Sequence, residues 1–491
     1  MIIDILHSIS KYLPVIKAPV KPVNTKERLM WSGIALVIFY MLYETTALGL
    51  NIQSQGVDFL QTITASRIGS LLTAGIGPIV LASIFLQLFS GAGLIKLNLK
   101  DTKDKQKFME VQKVLAIVLA ILEGVIFVIT SRVILVSNLF GLDSTIIMAL
   151  VVIQIALGSV IVLFLDELVT KYGLGSGISL FIAAGVSLSV VVGLFQLIFG
   201  AGGVVSIMAE GGAEAFASSA IALMPFVFTV IVFFVVVYAE SVKVEIPIAF
   251  ERVRGMVPKL PLKFFYVSNI PVIFATALII NAQLFAGGIL VSQYWDKSTN
   301  AQKLDFTGGY SMDKDGILPA IAYVNPQGQI VDGLLYFLTP ILGGGRSTQE
   351  HWNFLSSAST PIFKIPEWVH AILYTLFLGI VSVVFGMFWV EIANMDAKSV
   401  AGQLSDSGIQ IPGFRRDPRM LESILNKHIY PLTIMGSFAV GLLAGIADFT
   451  GALGTGTGIL LSVGILHKMY EDLEQMNAFE LYPTLGKMIG Q

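Results

Sequence analysis

The sequence predicts an all-α polytopic membrane protein, with ten transmembrane helices in two inverted five-helix halves. Three observations predict it. The chain of 491 residues is 55% hydrophobic and 13% charged, about half the charged fraction of an ordinary soluble domain, and its mean hydropathy is +0.79. Its apolar runs divide into ten segments of membrane-crossing length. Two glycine-rich stretches, Gly173-Leu174-Gly175-Ser176-Gly177-Ile178 and Gly454-Thr455-Gly456-Thr457-Gly458-Ile459, each open the fifth apolar segment of their half. Matched glycine-interrupted segments point to a central site between pseudo-symmetric halves.

Taken in order, residues 1–28 read as an arm. Pro14, Pro19 and Pro22 deny it the continuous apolar core of a cleavable signal. A first half at 29–199 holds spans at roughly 30–49, 71–94, 111–136, 144–166 and 174–199. A loop at 200–220 leads into a second half at 221–470, with spans at roughly 221–240, 265–290, 367–392, 429–449 and 453–470. The second half carries loops at 241–264 and 393–428 on one side and a long loop at 292–366 on the other, and a tail at 471–491 closes the chain.

Lys and Arg orient these spans. With ten spans, 24 of the 31 basic residues fall on the side of the two termini. Only Arg67, Arg132, Lys297, Lys303, Lys314, Arg346 and Lys364 fall opposite. The positive-inside rule makes both termini, and loops 241–264 and 393–428, cytoplasmic. Five spans per half then give the halves opposite orientations.

Several segments are not plain spans. Asp58 to Gly69 (DFLQTITASRIG) has a helical pattern but is too short and polar to cross. Such a half-helix either re-enters the protein or lies at its outer surface, because irregular backbone at membrane depth needs protein or water around it. In Gly75-Ile76-Gly77-Pro78-Ile79-Val80, glycine and proline predict a kinked span. Ile76 and Val80, like Leu174 and Ile178, have the i, i+4 spacing of one helical face. Such apolar pairs are either core or an apolar constriction.

Ionisable groups within the spans are scarce: Glu44, Glu123 and Asp448. Intramembrane carboxylates are candidate functional groups. Asn281 and Gln283 on the seventh span are candidate partners for Glu123, and a hydrogen bond that only fixes helix packing is the plainer reading.

Enzyme motifs are missing from the sequence. There is no phosphate loop and no H-E-x-x-H, Ser176 lacks the flanking glycine of a nucleophile elbow, and His370 reads as structural. With no cysteine and five scattered histidines, thiolate chemistry and disulfides are excluded. The pattern leaves a gated channel and an inverted-repeat secondary transporter of a small solute both open. Loops 241–264 and 393–428, with PGFRRDPR in the second, serve either to hold anionic lipid or to dock a partner such as RNA or an acidic protein surface.

Several motifs in order carry a resemblance. They are QTITASRIG (61–69), GIGPIV (75–80), KYGLGSGISLFIAAGVS (171–187), VYAESVKVEIPI (237–248), YVSNIPVI (266–273), FWVE (388–391), PGFR (412–415) and GALGTGTG (451–458). From about Lys17 to about Tyr482 the chain resembles the SecY family, the central subunit of the protein-translocation channel, and the archaeal form most. The resemblance implies a clamshell around an hourglass pore, no enzyme activity and no cofactor.

It implies a pore ring of Ile76, Val80, Leu174, Ile178, Ile273 and Leu461, with Leu174 in place of a common isoleucine. It implies a plug at 58–68, including Asp58, Gln61, Thr62, Thr64, Ser66 and Arg67. Glu123, Asn281 and Leu81 match the lateral gate, Leu81 standing where a threonine is common. Arg252, Arg254 and Arg415 match the ribosome-docking loops. The implied partners are a single-span SecE/gamma-type subunit, a beta-type subunit, the ribosome with its RNA, signal sequences, translocating polypeptides and membrane lipid. The implied location is the plasma membrane. The stretch 292–366 departs from the family.

Overall fold

A computed structural model describes residues 7–19, 23–51, 65–91, 102–129, 134–135, 141, 143–200, 203–211, 215–247, 249–250, 259–297, 323–324, 330–340, 348–360, 364–406, 409–410 and 418–481. Among these residues, ten long helices stand at the places of the ten expected spans. They are α1 (Thr25–Glu44), α2 (Gly77–Gly91), α3 (Thr102–Ile129), α4 (Ser144–Tyr172), α5 (Gly177–Phe199), α6 (Met224–Ser241), α7 (Ile270–Lys297), α8 (Glu367–Ile392), α9 (Pro418–Phe449) and α10 (Gly456–Leu481). Six of them, α3, α4, α5, α6, α8 and α9, are long and apolar enough to cross a membrane. α2 and α7 carry shorter apolar stretches, Gly77–Gln87 and Ile270–Gln283. α1 and α10 are charged at one or both ends, through Lys26, Glu27, Arg28 and Glu44 in the one and Lys468, Glu471, Asp472 and Glu474 in the other.

Several boundaries differ from the sequence reading, each for a physical reason. Pro78 does not kink a span: α2 begins at Gly77, so Pro78 sits in its first turn, where a missing N–H costs nothing. Leu174 and Ile178 do not share a helical face. Leu174 lies in the turn that precedes α5, and Gly175 holds that turn open at φ +66°. The end of the 58–69 segment is not helical: 65–69 is a turn in which Ala65 has φ 47°, and 58–64 lie outside the described residues. The supposed loops are partly helical: Val204–Glu210, Ala215–Ala222 and Ala397–Asp406 are helices, α9 starts at Pro418, and α10 runs on to Leu481.

The helices pack mainly in chain order: α2 on α3, α3 on α4, α7 on α8 and α8 on α9. The α8–α9 seam is close-packed along glycines. A Cβ on Gly441 would lie 2.7 Å from the Cα of Gly379, and one on Gly445 would lie 2.8 Å from the Cα of Thr375. Small residues let two backbones meet where apolar burial gives no drive between helices. The two halves meet along two seams, α5 against α10 and α2/α3 against α7/α8. A Cβ added to Gly402, in the helix Ala397–Asp406, would meet nothing within 4 Å. Gly402→Ala therefore raises thermal stability, by up to about 1 kcal/mol of helix propensity, in an unfolding scan of the purified protein.

Candidate functional site

Between the two seams runs one apolar cluster with members from both halves. Ile76, Val80 and Leu81 from the start of α2 are buried in it, as is Leu461 from α10, and Ile178 and Ile273 pack against it partly buried. Leu174 is also buried, at 3% exposure. The structure thus gathers five of the six expected ring residues on one cluster. The first turn of α2 explains two of them, since the amide of Val80 donates to the carbonyl of Ile76 at 3.1 Å.

The glycine-rich turns place the others. At the start of α5, the amide of Leu174 donates to Ser32 Oγ of α1 (2.9 Å) and the amide of Ile178 donates to Asp166 Oδ1 of α4 (2.8 Å). At the start of α10, the amide of Leu453 donates to Thr229 Oγ1 of α6 (2.8 Å) and the amide of Thr457 donates to Asp448 Oδ1 of α9 (2.8 Å). The hydroxyls of Thr457 and Tyr374 donate to the other oxygen of Asp448. Leu174 therefore corresponds to Leu453, so the repeat register is two residues away from the glycine-on-glycine match of Gly173 with Gly454. Sequence reading finds Asp448 but misses Asp166, Ser32 and Thr229. The available signal is an aspartate shortly before each glycine pair, at the end of the fourth segment.

The lateral-gate positions come together only in part. Glu123 on α3, Asn281 on α7 and Leu81 on α2 are all buried, and α7 packs on both α2 and α3. Asn281 does not pair with Glu123: its amide donates to the Ala277 carbonyl of its own helix at 2.9 Å. Glu123 Oε1 and Gln283 Nε2 are buried without a hydrogen-bond partner.

Of the plug positions, Asp58, Gln61, Thr62 and Thr64 lie outside the described residues. Ser66 is buried, and Arg67 is exposed and ion-paired with Glu44 at the end of α1. Arg252, Arg254 and Arg415 also lie outside the described residues. Their loops are joined nonetheless: Lys243–Pro247 pairs antiparallel with Lys259–Lys263, and Ala249–Phe250 pairs with Ile409–Gln410.

Ion pairs tie this basic side to the helix ends. Lys263 meets Glu471 at 2.6 Å, and Lys113 and Lys171 both meet Glu167 at 2.6 Å. Partial burial pushes the Glu471 carboxyl up, but the hydrogen bond and charge of Lys263 hold it below its ordinary value. On the opposite side, Glu367 accepts from Tyr336 at 2.9 Å and lies 3.0 Å from His370 Nδ1, joining segment 330–340 to α8. His370 is thus a structural group. No cluster of three metal-binding side chains occurs among the described residues.

Helices that cross a membrane, in two halves anchored alike and sharing one apolar core cluster, define a polytopic membrane protein of channel architecture. The SecY family profile matches residues 70–470. A protein translocase subunit SecY from Methanocaldococcus jannaschii is 39% identical over 494 residues, covering 99% of each chain. A solved protein-conducting channel superposes with a TM-score of 0.76 at 38% identity, covering 97% of this chain and 98% of the other. The Sec61 channel of a canine ribosome–channel complex gives 0.74 at 38% identity, with the same coverage. The chain belongs to the SecY family. These likenesses lend no support to the secondary transporter.

Proposed function

We propose that this chain is the central pore-forming subunit of a Sec-type protein-translocation channel. It passes unfolded polypeptides across the plasma membrane and releases apolar signal segments sideways between α2/α3 and α7/α8. The observation that carries this reading is the single apolar cluster in which Ile76 and Val80 of one half are buried with Leu461 of the other. An apolar constriction of this kind excludes hydrated ions by dewetting, and it yields to a passing chain because its side chains meet only by apolar contact, which chain contacts can replace.

In this reading Ile76, Val80, Leu174, Ile178, Ile273 and Leu461 form the ring, and residues 58–68 form the plug. Glu123, Asn281 and Leu81 belong to the lateral gate. An apolar signal segment binds between the halves and shifts the population toward the open state. The termini and loops 241–264 and 393–428 are cytoplasmic. Arg252, Arg254 and Arg415 dock the ribosome, and the strand pairing between those loops supports one joint docking surface. Single-span SecE/gamma-type and beta-type subunits complete the complex. The chain performs no catalysis and takes its direction from its partner.

Replacing both Ile76 and Ile178 by glycine raises the resting ion conductance of the reconstituted complex in planar bilayers at least several-fold. A resting conductance equal to the parent's removes these residues from the ring. The same preparation should carry a small one-span subunit and bind ribosomes at low salt.

A further inference from the structure

The amide hydrogen bonds at the starts of α5 and α10 repeat in both halves. In each half a hydroxyl on the first helix, Ser32 or Thr229, accepts the amide of a leucine, Leu174 or Leu453. The next residue is a glycine at positive φ: Gly175 at +66° and Gly454 at +74°. Two residues further on, Gly177 or Gly456 is seated on the backbone of the fourth helix. A Cβ there would lie 2.5 Å from the Cα of Asp166, or 2.0 Å from the carbonyl carbon of Ala447. One residue later an aspartate of that fourth helix accepts the amide of Ile178 or Thr457. Carboxylates at helix N-termini are favoured both by the exposed amides and by the helix dipole.

The anchored segments face one another. Ser462 Oγ donates to the carbonyl of Ala183 at 3.4 Å. Counted from Leu174 and Leu453, these are equivalent residues, so the pseudo-two-fold axis runs through the α5–α10 seam. In the first half the anchored amides belong to Leu174 and Ile178, the ring residues themselves. In the second half they precede Leu461, Thr457 on the helix that carries it and Leu453 in the turn before that helix.

We infer that Ser32 with Asp166, and Thr229 with Asp448, form a duplicated two-point anchor that holds the starts of α5 and α10 in the closed waist. These four are positioning residues for the ring, and opening the waist requires one anchor to let its helix move. The inference rests on the ring assignment of the proposed function. It adds that the resting width of the pore is set by groups that do not line it. The four amide contacts are equivalent in pairs on opposite sides of the pseudo-two-fold axis, and Asp448 also accepts the hydroxyls of Thr457 and Tyr374.

The test uses the full chain with its co-purifying subunits in planar bilayers, with Ile76→Gly/Ile178→Gly as reference. Asp166→Ala raises the open fraction at rest about ten-fold, the scale of one lost hydrogen bond to a charged group, and Asp448→Ala, which removes the acceptor of three, raises it at least as much. Asp166→Asn and Asp448→Asn keep an acceptor oxygen and fall between the alanine variants and the parent. Ser32→Ala and Thr229→Ala, milder deletions at the other anchor point, raise the open fraction by a smaller factor and give the reading should the aspartate variants fail to fold. Folded variants that leave resting conductance unchanged, with or without a lower unfolding temperature, overturn the anchor if the glycine reference leaks. A silent reference overturns the ring assignment instead.

Discussion

Gly456→Ala unseats the start of α10 and lowers the stability of the whole second half. The added Cβ would lie 2.0 Å from the carbonyl carbon of Ala447, 2.2 Å from its Cβ and 2.4 Å from its oxygen. All three atoms belong to the α9 backbone or sit directly on it, so no side chain can rotate away. Relief requires α10 to lift from α9, and that pulls the amide of Thr457 from Asp448, which is buried at 3% exposure. Overpacking of this kind costs about 1–3 kcal/mol, and weakening a hydrogen bond to a buried charged group costs about 1.5–3 kcal/mol more. Thermal unfolding in detergent, compared as half-lives at a fixed temperature, measures the loss. Gly177→Ala, with its closest contact at 2.5 Å, shows a smaller fall. A Gly456→Ala protein as long-lived as its parent would show that α10 does not rest on α9.

Helix positions are legible in the sequence because each long apolar run has one economical solution in a bilayer, a helix that satisfies its own backbone. The waist is legible through family motifs and through glycines whose cost in a helix needs a reason. What holds the waist is not legible. Ser32 lies 142 residues from Leu174, and Thr229 lies 224 residues from Leu453, so no sequence window contains both partners. Asp166 is hidden for another reason. It opens a charged turn, Asp166-Glu167 through Lys171, which reads as the end of a span. The helix continues through it because Glu167 is neutralised by Lys113 and Lys171. Matching the first glycine of each stretch, Gly173 with Gly454, misplaces the repeat register by two residues, because the equivalent pairs are Gly175 with Gly454 and Gly177 with Gly456.

These anchors also give the basic side a mechanical role. Lys171 donates to the carbonyl of Ile16 and Tyr172 to that of Lys17 at 2.9 Å, so the N-terminal arm grips the end of α4. One turn earlier, the same helix end presents Asp166 to Ile178. A partner that displaces the arm on the basic side would load the residue that holds the amide of Ile178. In the second half the link runs to α8 instead, since Tyr374 shares Asp448 with Thr457. α8 packs against α2 across the second seam, so lateral separation there bears on the α10 anchor.

Glu123→Leu strengthens the closed state and slows translocation. Glu123 is 3% exposed, its Oε1 has no hydrogen-bond partner, and the amide that sequence would pair with it, Asn281, is committed to Ala277. A buried polar atom left unpaired costs about 1–3 kcal/mol, and opening the seam between α3 and α7 would return it to water. In the proposed reading this packed arrangement is the closed gate, and it carries a penalty that the open gate does not. Leucine removes that penalty, so the closed-to-open ratio rises by roughly ten-fold or more, every 1.4 kcal/mol counting as a factor of ten. The variant should unfold at a higher temperature and translocate a weak-signal substrate more slowly in proteoliposomes, while Glu123→Gln stays near the parent in both. Faster translocation or lower stability in Glu123→Leu would mean that the carboxylate is satisfied in the closed state and holds the gate shut rather than easing it open.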